Sequence, residues 1–123
     1  MPGEGRVKVS GVGGIFFRSK NPEALAKWYE ETFGISQVSG GPWMQEAGPT
    51  VISPFPADTD YFGRMDQPFM LNLRVDDIKA AVSALEAAGV RIDDARQDEP
   101  YGRFAWAYDP EDNKIELWEP KMP

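Results

Sequence analysis

The chain has 123 residues and a formal net charge of −7, which suits one compact domain and argues against nucleic acid or an anionic membrane surface as a partner. It contains no histidine and no cysteine, so serine–histidine and cysteine–histidine nucleophiles are excluded and any metal would need oxygen ligands. Because the sequence also has no apolar run of signal-peptide or membrane-spanning length, a soluble cytoplasmic protein is expected.

The first half of the chain predicts strands around a single helix. Residues 7–19 are rich in β-branched and aromatic side chains and predict a strand interrupted by glycines. The helix begins after Asn21, a good N-cap followed by proline, and ends at Gly34. Residues 35–56 predict short strands separated by Gly and Pro, and residues 57–67 predict a loop or linker. The apolar stripe of this helix comprises Leu25, Trp28, Tyr29 and Phe33.

The second half begins with a strand over residues 69–75. Asp77 is the predicted N-cap of the next helix, and Gly89 is its predicted end. A strand, a loop and a hairpin that turns at residues 109–113 complete the chain. The apolar stripe of this second helix comprises Ile78, Ala81, Val82 and Leu85.

The two halves repeat the same order of elements. Residues 14–34 and 70–89 each contain a strand, a capped helix and a terminal glycine, which predicts a duplicated β-α-β-β-β unit. Repeat one spans about residues 7–56, the linker about 57–67 and repeat two about 68–120. One unit alone would leave a sheet face bare, so two units or two chains must pack together.

Three stretches of this sequence resemble the vicinal oxygen chelate superfamily, which includes glyoxalase I, bleomycin-resistance proteins, fosfomycin-resistance enzymes and extradiol dioxygenases. They cover residues 19–35, 72–90 and 101–120, and the last contains "DPEDNKIEL", similar to the family's D-P-[DE]-G-N-x-[IV]-E-L hairpin. Asp112 replaces the usual glycine, at a position that commonly has a left-handed backbone. The resemblance implies an α+β fold of paired β-α-β-β-β modules, whose curved mixed sheets surround a cleft, usually in a homodimer.

The resemblance also implies a metal site, but most of its ligands are missing here. The first-strand ligand positions fall on Gly14 and Met70, neither of which suits a hard or borderline metal. The last-strand acid of repeat two is Glu116, whereas residues 49–56 of repeat one contain no acid. No cofactor is therefore expected, and a divalent metal held by Glu116 is the alternative.

Strand parity places Glu116 on the cleft face, opposite Ile115 and Leu117. Its functional interpretation is an anchor for a ligand or a general base, and its structural interpretation is an acid held by a neighbouring Arg or Tyr or facing solvent. The same parity predicts an aromatic, largely apolar ligand site, although these side chains could instead form a second core. Arg103 could bind an anion at the mouth or form a surface ion pair. The predicted ligand-binding residues are Gly14, Phe16, Trp43, Met70, Asn72, Phe104, Trp106, Glu116 and Trp118.

Three functions remain open from the sequence. The favoured one is a metal-free protein of the bleomycin-resistance type that binds an aromatic or amphipathic small molecule as a homodimer. The second is a lyase, isomerase or dioxygenase that uses Glu116 as its catalytic base or surviving metal ligand. The third is a module whose cleft is filled by its own side chains and whose interface is the functional surface.

Overall fold

The computed structural model describes residues 7–35 and 41–121. Within these ranges the chain forms two helices and four strands. The helices are α1 (Pro22–Phe33) and α2 (Ile78–Ala87). The strands are β1 (Leu71–Arg74), β2 (Ile92–Glu99), β3 (Gly102–Tyr108) and β4 (Lys114–Pro120).

Both helices have the predicted ends. The Asn21 side chain accepts a hydrogen bond from the backbone N–H of Ala24 at 3.2 Å, and Gly34 ends α1 with φ 71°. The Asp77 side chain accepts from the N–H of Ala80 at 3.0 Å. These side-chain acceptors satisfy backbone donors that have no partner within the helix.

The four strands form one mixed sheet in the order β1-β4-β3-β2. β1 runs parallel to β4, whereas β4, β3 and β2 are antiparallel neighbours. The helices and this open sheet confirm the predicted α+β class. They also place β4 in the interior of the sheet, with a strand on either side.

The main core lies between the two helices and one face of this sheet. The sheet contributes Ala105 and Ala107 from β3 and Ile115 and Leu117 from β4, all with 0% exposure. The small alanines leave room for the helices to approach the sheet, while the branched residues fill the space beside them. The predicted helix stripes meet this face through Leu25, Tyr29, Ile78, Val82 and Leu85.

The β3–β4 hairpin turns at residues 109–113, as the sequence predicted, and the buried Asp109 organises the turn. Its carboxylate accepts hydrogen bonds from the backbone N–H groups of Glu111 and Asn113, at 2.8 and 3.0 Å, and from Asn113 Nδ2 at 2.7 Å. Asp112 has φ 63°, which confirms the left-handed conformation expected there.

The same turn holds α1 in place. The hydroxyl of Tyr29 donates to Asp109 Oδ2 at 2.9 Å. Just before the helix, Ser19 Oγ and the Lys20 N–H donate to the Glu111 carboxylate at 2.7 and 2.8 Å. The motif near the end of the chain is therefore joined by hydrogen bonds to the helix of the first half.

The strands predicted for the first half do not form in the described residues. Residues 7–20 and 41–60 have no regular secondary structure, and residues 36–40 of the predicted strand region lie outside the described ranges. Apolar side chains are consequently exposed, with Val7 at 84% and Phe16 at 96%. The physical reason is that a strand needs a hydrogen-bonding partner, which these stretches do not find among the residues that the structure describes.

Candidate functional site

The face of the sheet opposite the helices carries a second cluster of buried side chains. Its members alternate with the core residues along β3 and β4, because successive side chains of a strand point to opposite faces. Phe104 lies across from Trp118, and Trp106 lies across from Glu116. All four are buried, and Trp106 is only 3% exposed. Glu116 therefore lies in a largely aromatic environment that is separate from the main core.

The three aromatic rings of this cluster are nearly parallel. The ring centroids of Phe104 and Trp118 are 6.3 Å apart with an interplanar angle of 2°, and those of Phe104 and Trp106 are 6.5 Å apart at 16°. Tyr61 and Met70 pack against them. Phe104, Trp106 and Trp118 are called the aromatic cluster below.

The Glu116 carboxylate accepts hydrogen bonds from three uncharged side chains. Asn72 Nδ2 donates to Oε1 at 2.7 Å, and Trp106 Nε1 donates to Oε2 at 3.0 Å. The Tyr61 hydroxyl also donates to Oε2. Within residues 7–35 and 41–121, no Lys or Arg forms an ion pair with this carboxylate. Glu116 is thus solvated by protein dipoles in place of water, and one of its donors is a tyrosine.

Tyr61 belongs to a segment that covers this part of the sheet. Its ring packs edge-on to Trp106, with centroids 6.2 Å apart, and stacks with Phe55 at 5.5 Å. Phe55 also contacts Phe62, with centroids 5.1 Å apart. Residues 55–62 are called the covering segment below. The sequence predicted only a loop or linker here, because an aromatic residue in a polar loop does not indicate which strand it will contact.

Side chains that follow the covering segment attach it to the hairpin. The Gln67 amide donates to the Lys114 carbonyl at 3.0 Å and accepts from the Lys114 N–H at 2.8 Å. Lys114 Nζ donates to the Tyr61 carbonyl at 2.9 Å. Arg64 donates to the carbonyls of Glu111 and Asp112 at 3.2 and 2.9 Å. These bonds fix the loop so that Tyr61 faces Glu116.

Tyr61, which is half-buried, and Tyr29, which is buried, both have a raised pKa. Burial, and then the hydrogen bond to Glu116, raise the pKa of Tyr61 far above its usual value, and burial beside Asp109 does the same for Tyr29. Both shifts favour the neutral phenol in the folded state. Their contribution to stability is fully present below the unfolded pKa of about 10 and is lost as the pH rises from there through the folded pKa.

We expect the folded protein to keep Tyr29 and Tyr61 protonated at a pH of about 11, where tyrosines of the denatured chain have ionised. Ultraviolet absorbance of phenolate, measured with and without denaturant, checks this. In Tyr61→Phe, the additional phenolate absorbance that appears on adding denaturant should be smaller by the contribution of one tyrosine. Complete ionisation of the folded protein at that pH would contradict the expectation.

The family is identified by comparison with known proteins. The sequence profile of the glyoxalase/bleomycin resistance protein/dioxygenase superfamily matches residues 11–117. The chain belongs to this superfamily. No curated protein matches the sequence. The match confirms the resemblance that was drawn from the capped helices and the final hairpin.

Solved structures of the superfamily share the fold. TnmS3, an antibiotic binding protein from Streptomyces sp. CB03234, is 27% identical with a TM-score of 0.62, and the match covers 94% of this chain and 100% of that one. A superfamily member from Sphaerobacter thermophilus DSM 20745 is 19% identical with a TM-score of 0.57, covering 89% and 97% of the two chains. A glyoxylase/bleomycin resistance protein/dioxygenase domain from Frankia sp. EAN1pec is 15% identical with a TM-score of 0.60, covering 93% and 100%.

The groups around Glu116 do not fit a divalent metal, which the superfamily fold implies in some members. Both carboxylate oxygens already accept hydrogen bonds, and the indole N–H of Trp106 can only donate. Gly14 has no side chain, and the thioether of Met70 is a soft ligand. In the described ranges, no group of three or more Asp and Glu side chains is placed to hold an ion.

The structure brings together six of the nine residues predicted for the ligand site and leaves three apart from it. Met70, Asn72, Phe104, Trp106, Glu116 and Trp118 share one face of the sheet. Phe16 is 96% exposed and Trp43 is 46% exposed, and an added side chain at Gly14 would meet no atom within 4 Å. Because these three precede the sheet in stretches without secondary structure, their place in the site stays a prediction.

The Arg103 side chain forms ion pairs with two acids. Its guanidinium pairs with Glu119 at 2.7 Å and with Asp98 at 3.5 Å. Of the two interpretations of Arg103, the surface ion pair is the one that the geometry confirms.

In the described part of the chain, no helix has the length and apolarity needed to cross a bilayer.

Proposed function

We propose that this protein binds an aromatic or amphipathic small molecule at the aromatic cluster without using a metal. The observation that carries the proposal is the buried Glu116 carboxylate, which lies beside Trp106 and Trp118 and whose donors among the described residues are all uncharged. A few directed polar groups within an aromatic surface are typical of sites for small organic ligands.

The energetics of Glu116 support a role in binding. Removing a carboxylate from water costs several kcal/mol, and an apolar side chain of similar size is often neutral or stabilising in such a place. The hydrogen bonds from Tyr61, Asn72 and Trp106 offset part of that cost. A buried carboxylate among rings that can stack on a ligand is a strong acceptor for a polar group on that ligand.

The similarity to TnmS3 supports the same class of ligand. That protein is named as an antibiotic binding protein, and its likeness extends over nearly the whole of both chains. The likeness favours a sizeable organic molecule over a metal ion or a small inorganic anion.

The test is calorimetric titration with three two-ring probes that differ only in their polar group: naphthol, naphthalene and naphthylmethylamine. We expect one-site binding of at least one probe, unchanged by a metal chelator. Trp118→Ala should weaken it about tenfold or more, because an aromatic contact is lost from the cluster. Trp28→Phe, on α1, is the matched control and should bind normally. If no probe binds, or if the chelator abolishes binding, the proposal is wrong.

A direct metal titration tests the second part of the proposal. Untagged protein titrated with Zn, Mn, Ni and Fe should bind none of them stoichiometrically, because the donors around Glu116 do not fit an ion. A polyhistidine tag must be absent, since it would add ligands that the chain lacks. One tightly bound ion per chain, lost in Glu116→Gln, would contradict the proposal and favour a metal enzyme.

We also propose that two copies associate and that residues 7–20 and 41–56 complete the duplicated fold in the dimer. Their exposed apolar side chains include Met44 at 85% and Ile52 at 79%. The outer edge of β2 is charged, exposed and interrupted by an irregular register, features that discourage pairing. The other edge, β1, carries one charged side chain, Arg74, in its four residues, and a second copy is the partner that would bury these segments.

Light scattering at micromolar concentration should therefore give the mass of a dimer. Phe16→Asp should shift the population toward monomer, because a charge would enter the buried interface. Ser10→Asp adds the same charge in the same stretch at a polar position, and we expect it to remain dimeric. A wild-type monomer would refute this arrangement while leaving ligand binding open to test.

A further inference from the structure

The hydrogen-bond acceptor at the centre of the site is already bonded to a phenol of the same chain. The Tyr61 hydroxyl donates to Glu116 Oε2, the oxygen that also accepts from Trp106 Nε1. Tyr61 is not part of the sheet, since it reaches this place from the covering segment. The segment has no helix or strand of its own to hold it over the sheet.

The surroundings of the Tyr61 ring also suit the electron-rich aromatic ring of a phenol. Lys114 Nζ lies 5.1 Å from its centroid and 5.6 Å from that of the Trp106 ring, both within the range of a cation–π contact. Phe55 stacks on the Tyr61 ring with an interplanar angle of 18°. The site thus offers an acceptor for a hydroxyl, a cation near the face of an electron-rich ring, and aromatic walls.

We infer that the ligand is a planar aromatic compound bearing a phenolic hydroxyl, which replaces the Tyr61 hydroxyl on Glu116 as the Tyr61 side chain turns away and the backbone of the covering segment stays in place. This inference rests on the proposed function and names the ligand class for that same site. Without a ligand, the Tyr61 hydroxyl occupies Glu116 Oε2. The ligand must therefore compete with Tyr61 for this acceptor.

Two other ligand classes fit these contacts less well. A cationic ligand would bring a second positive charge close to Lys114, whose ammonium already lies by the same rings. A plain hydrocarbon that displaced Tyr61 would leave Glu116 Oε2 with one donor fewer. Loss of a hydrogen bond to a buried charged group is the costlier of these effects. A hydroxylated arene avoids both.

Tyr61→Ala tests the inference because it removes the phenol that is bonded to Glu116. Calorimetry with naphthol, naphthalene and naphthylmethylamine compares the variant with the wild type. We expect naphthol to bind Tyr61→Ala about tenfold or more tightly than it binds the wild type, and about tenfold or more tightly than naphthalene binds the variant. Adding Glu116→Gln should reduce the preference for naphthol severalfold, because a charged acceptor becomes neutral.

Tyr61→Phe keeps the ring in place and guards against misfolding of the alanine variant. It removes only the competing hydroxyl, so naphthol should bind it more tightly than the wild type but less tightly than Tyr61→Ala. Equal affinities for naphthol in the wild type and both variants, with circular dichroism showing native folds, would overturn the inference.

The probes separate failure of this inference from failure of the proposed function. Tightest binding of naphthylmethylamine or naphthalene to Tyr61→Ala would refute the phenol assignment while retaining an aromatic ligand site. Binding of no probe to either folded variant or to the wild type would refute both.

Discussion

Replacing Asp109 by alanine is expected to lower the free energy of unfolding by roughly 3–5 kcal/mol. Asp109 is 3% exposed and accepts from the Tyr29 hydroxyl, the Asn113 amide and two backbone N–H groups. Alanine would leave these donors without their acceptor inside the protein, where each unsatisfied group is costly. The loss affects the hairpin turn and its attachment to α1 together.

Denaturant unfolding followed by tryptophan fluorescence measures this effect, at one fixed protein concentration because association alters apparent stability. Asp94→Ala is the matched control, since Asp94 is an exposed acid on β2, and it should change stability by no more than about 0.5 kcal/mol. Tyr29→Phe removes only one donor and should cost about 1 kcal/mol. Unfolding of Asp109→Ala at the wild-type midpoint would contradict the assigned role.

Replacing Gly102 by alanine is expected to cost roughly 2–4 kcal/mol and to disturb the aromatic cluster. Gly102 has φ 156°, and a Cβ there would lie 2.9 Å from the Glu119 carbonyl oxygen and 2.6 Å from Cδ1 of Trp118. The Trp118 ring would have to move, although its Nε1 donates to the Tyr101 carbonyl at 3.2 Å. The stack of Trp118 with Phe104 would be lost with it.

The stability of Gly102→Ala is measured by the same unfolding experiment, and its site is measured by titration with naphthol. Gly13→Ala is the control, since its Cβ would meet nothing within 4 Å, and we expect near wild-type stability and binding. If Gly102→Ala were as stable as the wild type and bound naphthol equally well, the packing of Trp118 against this glycine would not matter to the site.

These two substitutions show how closely the fold and the candidate site depend on one hairpin. On one face β3 and β4 carry the core beneath the helices, and on the other they carry Glu116 and the aromatic cluster. Loss of the Asp109 side chain would remove a hydrogen bond to α1, whereas a side chain at Gly102 would displace the ring of Trp118. Asp109→Ala should therefore lower stability through the turn and α1, whereas Gly102→Ala should lower both stability and ligand binding.

Local chemistry explains why much of this could be predicted. Asn21, Asp77 and Gly34 act on backbone groups within a few residues, so their roles follow from neighbouring sequence. Strand alternation likewise placed Glu116 and Trp118 opposite Ile115 and Leu117. The role of Tyr61 could not be predicted in this way, because 55 residues separate it from Glu116 and nothing in a polar loop specifies so distant a contact.

By itself, the sequence determined the helices, the final hairpin, the two faces of β4 and the superfamily, since each depends on periodicity or on a short motif. Only the tertiary structure decided that Tyr61 closes over Glu116 and that Asn72 and Trp106 complete its hydrogen bonds. It also decided that the first-half segments form no strands within the described chain. Strand pairing and carboxylate solvation both require partners from distant parts of a chain or from another copy, and local sequence does not encode where those partners lie.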